Sequence, residues 1–258
     1  FVFGSFATNN QTDESDFDIA VYLKPDAQKI EIEEPKRYPI ADDIWLDIEK
    51  ILEIDVDFII LNQAYPSFIY SVFKKGIPLV IKDEKLYQTV FEFVERETFD
   101  FDNFMEDFLK IKLRSSSLSV EDKIRLLKRI DFLIDCISEK EKFIDIQPTI
   151  FKDKPDDRRN IEKWIEDIAN CTIDISKIIL ASEKKEIPRS YKECLINICL
   201  FFEFKEEEAR KFSRLANLRN ILAHEYLDVL YQEIRIFLDN ILPVLEKIIP
   251  LLCRYTNI

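Results

Sequence analysis

The chain has 258 residues, and its 50 acidic and 37 basic side chains give it a net charge of −13. This balance argues against a protein that coats nucleic acid without preference, because phosphate affinity needs clustered lysine and arginine. No apolar run reaches the roughly 18 residues of a membrane span, so we expect no membrane partner. The five cysteines lack paired metal-ligand spacing, which favours reduced thiols in a cytoplasmic protein.

The N-terminal part alternates between short apolar strands and amphipathic helices, which predicts an α+β unit with a small mixed sheet. Strands are predicted over residues 1–3, 16–23, 53–62 and 77–81. Helices are predicted over residues 42–53 and 65–75. Pro78 indicates an edge position for the last strand, because proline cannot donate a ladder hydrogen bond. The chain begins at Phe1, inside the first predicted strand and without a methionine, so we expect further residues upstream.

Helical spacing of apolar residues begins at residue 83. One long amphipathic helix is predicted over residues 83–114, and a serine-rich run over 115–119 then breaks it. We therefore predict two domains, residues 1–115 and residues 116–258.

The second domain is predicted to be an all-α bundle, because every later apolar pattern has a helical period. Ser119 can cap its first helix. Helices are predicted over residues 120–143, 156–183, 188–200, 206–226 and 228–254. Pro243 is expected to interrupt the last of them, because proline removes a backbone donor from a helix.

A motif whose residues could bind phosphate and a divalent metal lies at the start of the chain. Gly4-Ser5 is followed by ten residues and then by Asp16-x-Asp18. Side chains alternate across a strand, so Asp16 and Asp18 point to one side, where their oxygens can hold a divalent metal such as Mg²⁺. Gly4 lets the backbone approach closely, and the N–H groups where Ser5 opens a turn or short helix can cradle phosphate. The alternative is a solvated strand edge beside an ordinary turn.

This spacing resembles the signature of the minimal nucleotidyltransferases of the polymerase-beta-like superfamily. The resemblance implies that Asp16 and Asp18 bind Mg²⁺ as catalytic carboxylates. It also implies that Gly4, Ser5 and Ser15 bind the nucleotide, which would be ATP.

The same family uses a third carboxylate on a later strand. Its pattern of Val-Asp followed by apolar residues selects Asp57 as a catalytic and metal-binding residue, with Asp55 in reserve. Both lie on one strand face, so the alternation of side chains along the strand does not decide between them. The match departs at Asn9, where the family commonly has glycine, but asparagine tolerates left-handed backbone.

A second motif lies in the predicted bundle. His224, the only histidine, follows Arg219 and Asn220 and precedes Tyr226. Histidine suits proton transfer near neutrality and arginine suits phosphate recognition. On an ideal helix Tyr226 lies within about 20° of Arg219, whereas His224 lies about 140° away, near Asn220. One shared face therefore needs a bend, a helix end or a second subunit, and the alternative is a structural histidine.

The pattern Arg219-x4-His224-x-Tyr226 resembles the Arg-x4-His-x-Tyr motif of HEPN toxins, and the likeness covers roughly residues 120–255, including the helix start at 187–191. It implies a metal-independent ribonuclease in which His224 is the acid/base, Arg219 binds phosphate and Asn220 is accessory. RNA is then the substrate, and HEPN ribonucleases imply a homodimer whose two motifs face each other.

Minimal nucleotidyltransferases and HEPN proteins are partners in type VII toxin–antitoxin pairs, and here both would lie on one chain. The combined resemblance implies transfer of AMP from ATP to the Tyr226 hydroxyl, which silences the ribonuclease. Two alternatives remain open. The chain could be a small-molecule transferase of the aminoglycoside type with a structural bundle, or the first domain could be an inert mask on a HEPN toxin.

Overall fold

The computed structural model describes residues 1–12, 15–25, 30–114, 118–221 and 227–256. The chain forms two compact units, Phe1–Asn103 and Phe104–Ile258. The predicted boundary between residues 115 and 116 falls in a segment outside the described residues, so it stays a prediction.

The N-terminal unit is built around a small sheet. β1 (Phe17–Val21) and β2 (Val56–Ile60) pair in parallel. Val2 adds single antiparallel bridges to Ile19 and to Ile77. The sheet is therefore small and mixed in direction, which confirms the predicted α+β class.

Two predicted strands are wrong in length. The segment 77–81 contributes one bridging residue, because Pro78 has no N–H to donate and the side chains beyond it are largely exposed. The segment 1–3 also contributes one bridging residue, because Gly4 takes φ +69° and turns the chain away from the sheet.

The helices of this unit follow proline and glycine signals. They are α1 (Gly4–Ala7), α2 (Pro39–Leu52), α3 (Pro66–Lys75) and the first part of α4 (Glu84–Lys112). Pro39 and Pro66 occupy first-turn positions, where the missing N–H costs nothing, and Gly76 ends α3. Apolar faces of α3 and α4 enclose the core beside β1; its buried members include Ala20, Ile69, Val72, Phe73, Val90 and Val94.

All regular secondary structure in the described part of the C-terminal unit is helical, as predicted. Its helices, after the end of α4, are α5 (Val120–Ser138), α6 (Pro148–Asp153), α7 (Pro155–Ser182), α8 (Tyr191–Phe201), α9 (Glu206–Ser213), α10 (Leu215–Ile221), α11 (Leu227–Ile236) and α12 (Leu242–Thr256). The centre is α7, which packs against α5, α6, α8 and α10. Residues 171–182 of α7 are buried at every position except Asp174, as expected for a helix surrounded by others.

Two of the later predicted helices are interrupted. The helix predicted over 206–226 is divided at Arg214 into α9 and α10, and residues 222–226 lie outside the described part. The interruption predicted at Pro243 is a π-helical turn, Phe237–Ile241, directly before α12. Proline clashes with the carbonyl four residues earlier, and widening the turn relieves that clash. Searched over its described residues, the chain has no helix that is both long and apolar enough to cross a membrane.

Candidate active sites

The backbone of Gly4 and the carboxylate of Asp18 are in direct contact. Gly4 has φ +69°, a conformation that side chains rarely adopt. A Cβ atom built on Gly4 would lie 2.0 Å from Oδ2 of Asp18, so alanine does not fit without a shift. The Phe3 N–H donates to the Asp18 carbonyl oxygen at 3.1 Å and holds the two segments together. The glycine of the predicted loop and the second aspartate of the predicted pair therefore meet.

Asp57 lies opposite Asp18 in the register of β1 and β2. Side chains at paired positions of neighbouring strands project from the same face, so the two carboxylates are neighbours. Burial raises the pKa of Asp18, and the negative charges of Asp57 and Asp16 raise it further. Because β2 begins at Val56, Asp57 lies within the paired strand and Asp55 lies before it. The register thus puts Asp57 opposite Asp18, whereas Asp55 lies before β2 as Asp16 lies before β1, and the catalytic role of Asp57 stays a prediction.

These carboxylates suit a divalent cation in their chemistry. Oxygen donors are the ligands that Mg²⁺ prefers, and a cation would offset both the burial and the carboxylate repulsion that raise the pKa of Asp18. Within the described ranges, however, no three His, Cys, Asp or Glu side chains are gathered closely enough to hold a metal ion. The residues present therefore fit a cation as donors, and their carboxylates do not form a closed three-ligand cluster.

The loop after Gly4 is closed by its own hydrogen bonds. The Thr8 hydroxyl donates to the carbonyl oxygens of Gly4 at 3.1 Å and Ser5 at 3.2 Å. The Asn10 N–H also donates to the Ser5 carbonyl, at 3.0 Å. Asn9 has φ 55°, which confirms that asparagine takes the left-handed conformation at this position.

Ser15 lies at the other end of this loop, just before Asp16. Its hydroxyl accepts the Thr12 N–H at 2.8 Å, and its own N–H donates to the Thr12 carbonyl at 3.0 Å. These two bonds join Thr12 to Ser15, two residues before β1. The predicted role of Ser15 in nucleotide binding stays a prediction.

Half of the second motif lies within the described residues. Arg219 and the backbone of Asn220 belong to α10. His224 and Tyr226 lie outside the described part of the chain, so their predicted places beside Arg219 stay predictions.

Arg219 meets a residue to which the sequence-based prediction assigned no role. Its guanidinium carbon lies 4.9 Å from the centroid of the Tyr191 ring, at the start of α8. There, Ser190 caps the helix by accepting the Glu193 N–H at 3.1 Å, and the Glu193 carboxylate accepts the Arg189 N–H at 2.6 Å. A large aromatic residue directly after the capping serine, inside the Ser190-x-x-Glu193 pattern, was the signal that could have found Tyr191.

Family comparisons agree with both motifs. Residues 1–85 match the family model for polymerase beta, nucleotidyltransferase, and residues 133–252 match the family model for ribonuclease HepT-like. This chain is a fusion of a polymerase-beta-like nucleotidyltransferase domain and a HEPN-like domain. A comparison with curated proteins gave no match.

The two domains limit the chemistry of the fusion. The nucleotidyltransferase domain, which contains Gly4, Asp18 and Asp57, indicates a transferase whose substrate is a nucleoside triphosphate and which usually uses a divalent metal. The HEPN-like domain, which contains Arg219 and His224, indicates a ribonuclease-type fold and interaction with RNA. Together they support a fusion of the toxin–antitoxin kind.

Proposed function

We propose that the nucleotidyltransferase domain transfers AMP from ATP to the Tyr226 hydroxyl of the HEPN-like domain, and that this modification silences a metal-independent ribonuclease. The observation that carries the proposal is the meeting of Gly4, Asp18 and Asp57. A backbone that allows close approach and two neighbouring carboxylates occupy one place, which is what transfer of a nucleotidyl group from a charged triphosphate requires.

The reaction breaks the phosphoanhydride bond between the α- and β-phosphates of ATP and forms a phosphoester bond to tyrosine. The Tyr226 oxygen attacks the α-phosphorus of ATP, a bond forms between them, and the bond to pyrophosphate breaks. The phenol proton passes to the Asp57 carboxylate, because free tyrosine has a pKa of about 10 and is protonated at neutral pH. Backbone N–H groups at Gly4 and Ser5 hold the triphosphate.

A divalent cation, proposed to be Mg²⁺, would be held by Asp18 and Asp57 together with Asp16, and it would supply positive charge beside the triphosphate. The raised pKa of Asp18 supports this assignment, because a site with repelling carboxylates favours a bound cation.

Silencing follows from charge and bulk beside the ribonuclease motif. In the unmodified protein His224 transfers protons and Arg219 binds the RNA phosphate, with Asn220 as an accessory group. AMP on Tyr226 adds a negative phosphate close in sequence to both, and it competes with RNA for the guanidinium. We further propose a homodimer in the cytoplasm, where the five free thiols stay reduced.

The test compares RNA cleavage by the purified chain before and after incubation with ATP and Mg²⁺. Wild-type protein should lose cleavage after ATP treatment. The double variant Asp16→Ala/Asp18→Ala and the variant Tyr226→Phe should keep it. Protein that gains AMP yet cleaves RNA as before would contradict silencing.

The same experiment separates the alternatives. A small-molecule transferase would leave its own tyrosine unmodified, and His224→Ala would change no activity. An inert masking domain would consume no ATP.

A further inference from the structure

We propose that Tyr191 is a positioning residue that orients the Arg219 guanidinium for binding an RNA phosphate. The inference rests on the proposed role of Arg219 in the ribonuclease, and it adds a residue that lies outside the Arg-x4-His-x-Tyr motif. The guanidinium carbon lies 4.9 Å from the ring centroid of Tyr191, within the range of a cation–π contact.

The Tyr191 ring is itself held in place. Its residue is only 7% exposed, and its ring meets the Phe104 ring edge to face, at 5.3 Å between centroids and 79° between planes. Phe104 is 5% exposed, and Lys177 Nζ lies 5.4 Å from its ring centroid. Arg219, Tyr191, Phe104 and Lys177 therefore form a continuous series of contacts, here called the stack, from α10 through α8 and α4 to α7, all within the C-terminal unit.

Two further anchors keep the stack from shifting. Lys177 Nζ lies 2.9 Å from a carboxylate oxygen of Asp107 and 3.4 Å from one of Asp174. On the α8 side, Ser190 caps the helix directly before Tyr191. A ring held by a helix cap and, through Phe104, by a partly buried ion pair offers Arg219 one orientation, and such an orientation reduces the entropy lost when phosphate binds.

Stacking and phosphate binding use different parts of the guanidinium. An aromatic ring contacts the flat face, whereas a phosphate accepts two parallel N–H bonds along the edge. Arg219 Nη1 is buried, so a phosphate would bind the other N–H groups of the guanidinium, which stacking on Tyr191 does not use. A lysine or a mobile arginine would bring the charge without this geometry.

The competing explanation is that Tyr191 only fills the core. The two explanations differ in how Tyr191 and Arg219 combine, because a core residue acts on stability regardless of Arg219 whereas a positioning residue acts through it. The test is a double-mutant cycle on the full chain, with kcat and KM measured for cleavage of a single-stranded RNA oligonucleotide. The variants are Tyr191→Leu, Arg219→Gln and the two combined.

We expect Tyr191→Leu to raise KM about fivefold, the size of a cation–π contact, with a smaller change in kcat. In the Arg219→Gln background it should change KM by less than about twofold. Tyr191→Phe, which keeps the ring, should stay near wild type. An equal rise of KM in both backgrounds would overturn the positioning role.

A second series guards against misfolding of Tyr191→Leu. Phenylalanine carrying one, two or three fluorine atoms at position 191 keeps the ring shape and progressively weakens its attraction for a cation. KM should rise with each fluorine, and a flat series would overturn the inference. If Arg219→Gln raises KM while the Tyr191 series is flat, only the positioning role fails. If Arg219→Gln has wild-type kinetics, or no form of the chain cleaves RNA, the proposed ribonuclease role fails as well.

Discussion

The two candidate sites are held together in different ways, the first by backbone geometry and the second by side-chain contacts. In the N-terminal unit, backbone geometry brings the site residues together: the register of β1 and β2 pairs Asp18 with Asp57, and the positive φ of Gly4 brings the loop against Asp18. In the C-terminal unit, side chains hold Arg219, through its contact with Tyr191. A site made by backbone leaves a short, local motif in the sequence. A site supported by side chains draws on residues far apart in the chain, so its supporting residues are harder to recognise.

The largest expected effect tests the backbone-held site through its strand register. Asp57→Asn should lower the rate of AMP transfer about 1,000-fold, because it removes a proposed base and metal ligand together. The matched control is Asp55→Asn, which lies before β2 and should stay within about twofold of wild type. Rates are measured as incorporation of labelled AMP into the protein. Equal losses in both variants would contradict the assignment by register.

The next effect tests the contact between Gly4 and Asp18. Gly4→Ala should lower AMP transfer about 100-fold, because the new Cβ forces the loop or the carboxylate to move. The positive φ adds a folding cost of about 1–2 kcal/mol, visible in urea unfolding. The control is Asn9→Gly, at the other described position of positive φ in this loop, which should keep its activity. Full activity in Gly4→Ala would show that this contact is dispensable.

A smaller effect tests the ion pairs beneath the stack in the C-terminal unit. Lys177→Met should lower the free energy of unfolding by about 2 kcal/mol at pH 7, less than for a fully buried pair because Asp107 and Asp174 keep some solvent exposure. Lys163→Met, on the exposed side of the same helix, should change it by less than about 0.5 kcal/mol. Both are measured by urea denaturation. Equal effects would contradict a special role for the buried lysine.

The difference in unfolding free energy between wild type and Lys177→Met should depend on pH because of Asp107. Burial pushes the pKa of Asp107 up, but hydrogen bonds from Arg125 and Lys177 outweigh burial and hold the pKa below its usual value of 3.8. A lowered pKa contributes stability that is complete above the ordinary value and is lost as pH falls through the folded value. The gap between wild type and Lys177→Met should therefore shrink in acid. A gap that grows below pH 4 would have the wrong sign.

The smallest expected effect is a gain in stability rather than a loss, and it comes from Asp18 in the N-terminal site. Because the pKa of Asp18 is raised, its charged form weakens the folded state above that pKa, and the penalty disappears as pH falls below the ordinary value. Asp18→Asn should therefore raise Tm at pH 7 by about 1 °C, although it removes a proposed metal ligand. The gain should vanish in acid, and the control Asp43→Asn on α2 should show none. A lower Tm at pH 7 would contradict repulsion among the carboxylates.

What the sequence could predict follows from the same difference between the sites. Strand alternation predicted that Asp16 and Asp18 share a face, and the sheet confirms the two strands. Side-chain alternation could not separate Asp55 from Asp57, because they differ only in their pairing with β1, where Asp57 is opposite Asp18. The Gly4 contact was anticipated as close backbone approach, although the partner in contact is Asp18 itself.

The limits in the C-terminal unit arise from tertiary packing. The apolar spacing over 206–226 continues through Arg214, so periodicity predicted one helix where the chain forms two. Arg214 pairs with Glu233 on α11, at 3.2 Å, and this pairing depends on a residue nineteen positions away. Tyr191 and Arg219 are likewise distant in the chain, and only the packing of α8 against α10 reveals their contact.

The central claim is that the two domains are joined by one reaction, and intact mass spectrometry tests it most directly. The intact mass of the purified chain is measured before and after incubation with ATP and Mg²⁺. Peptide mapping then locates any modification, with attention to the peptide that contains Tyr226. The account predicts an added AMP on that peptide, absent from Tyr226→Phe and from Asp16→Ala/Asp18→Ala. Protein that starts unmodified and gains no mass, or gains AMP only on other peptides, would contradict it.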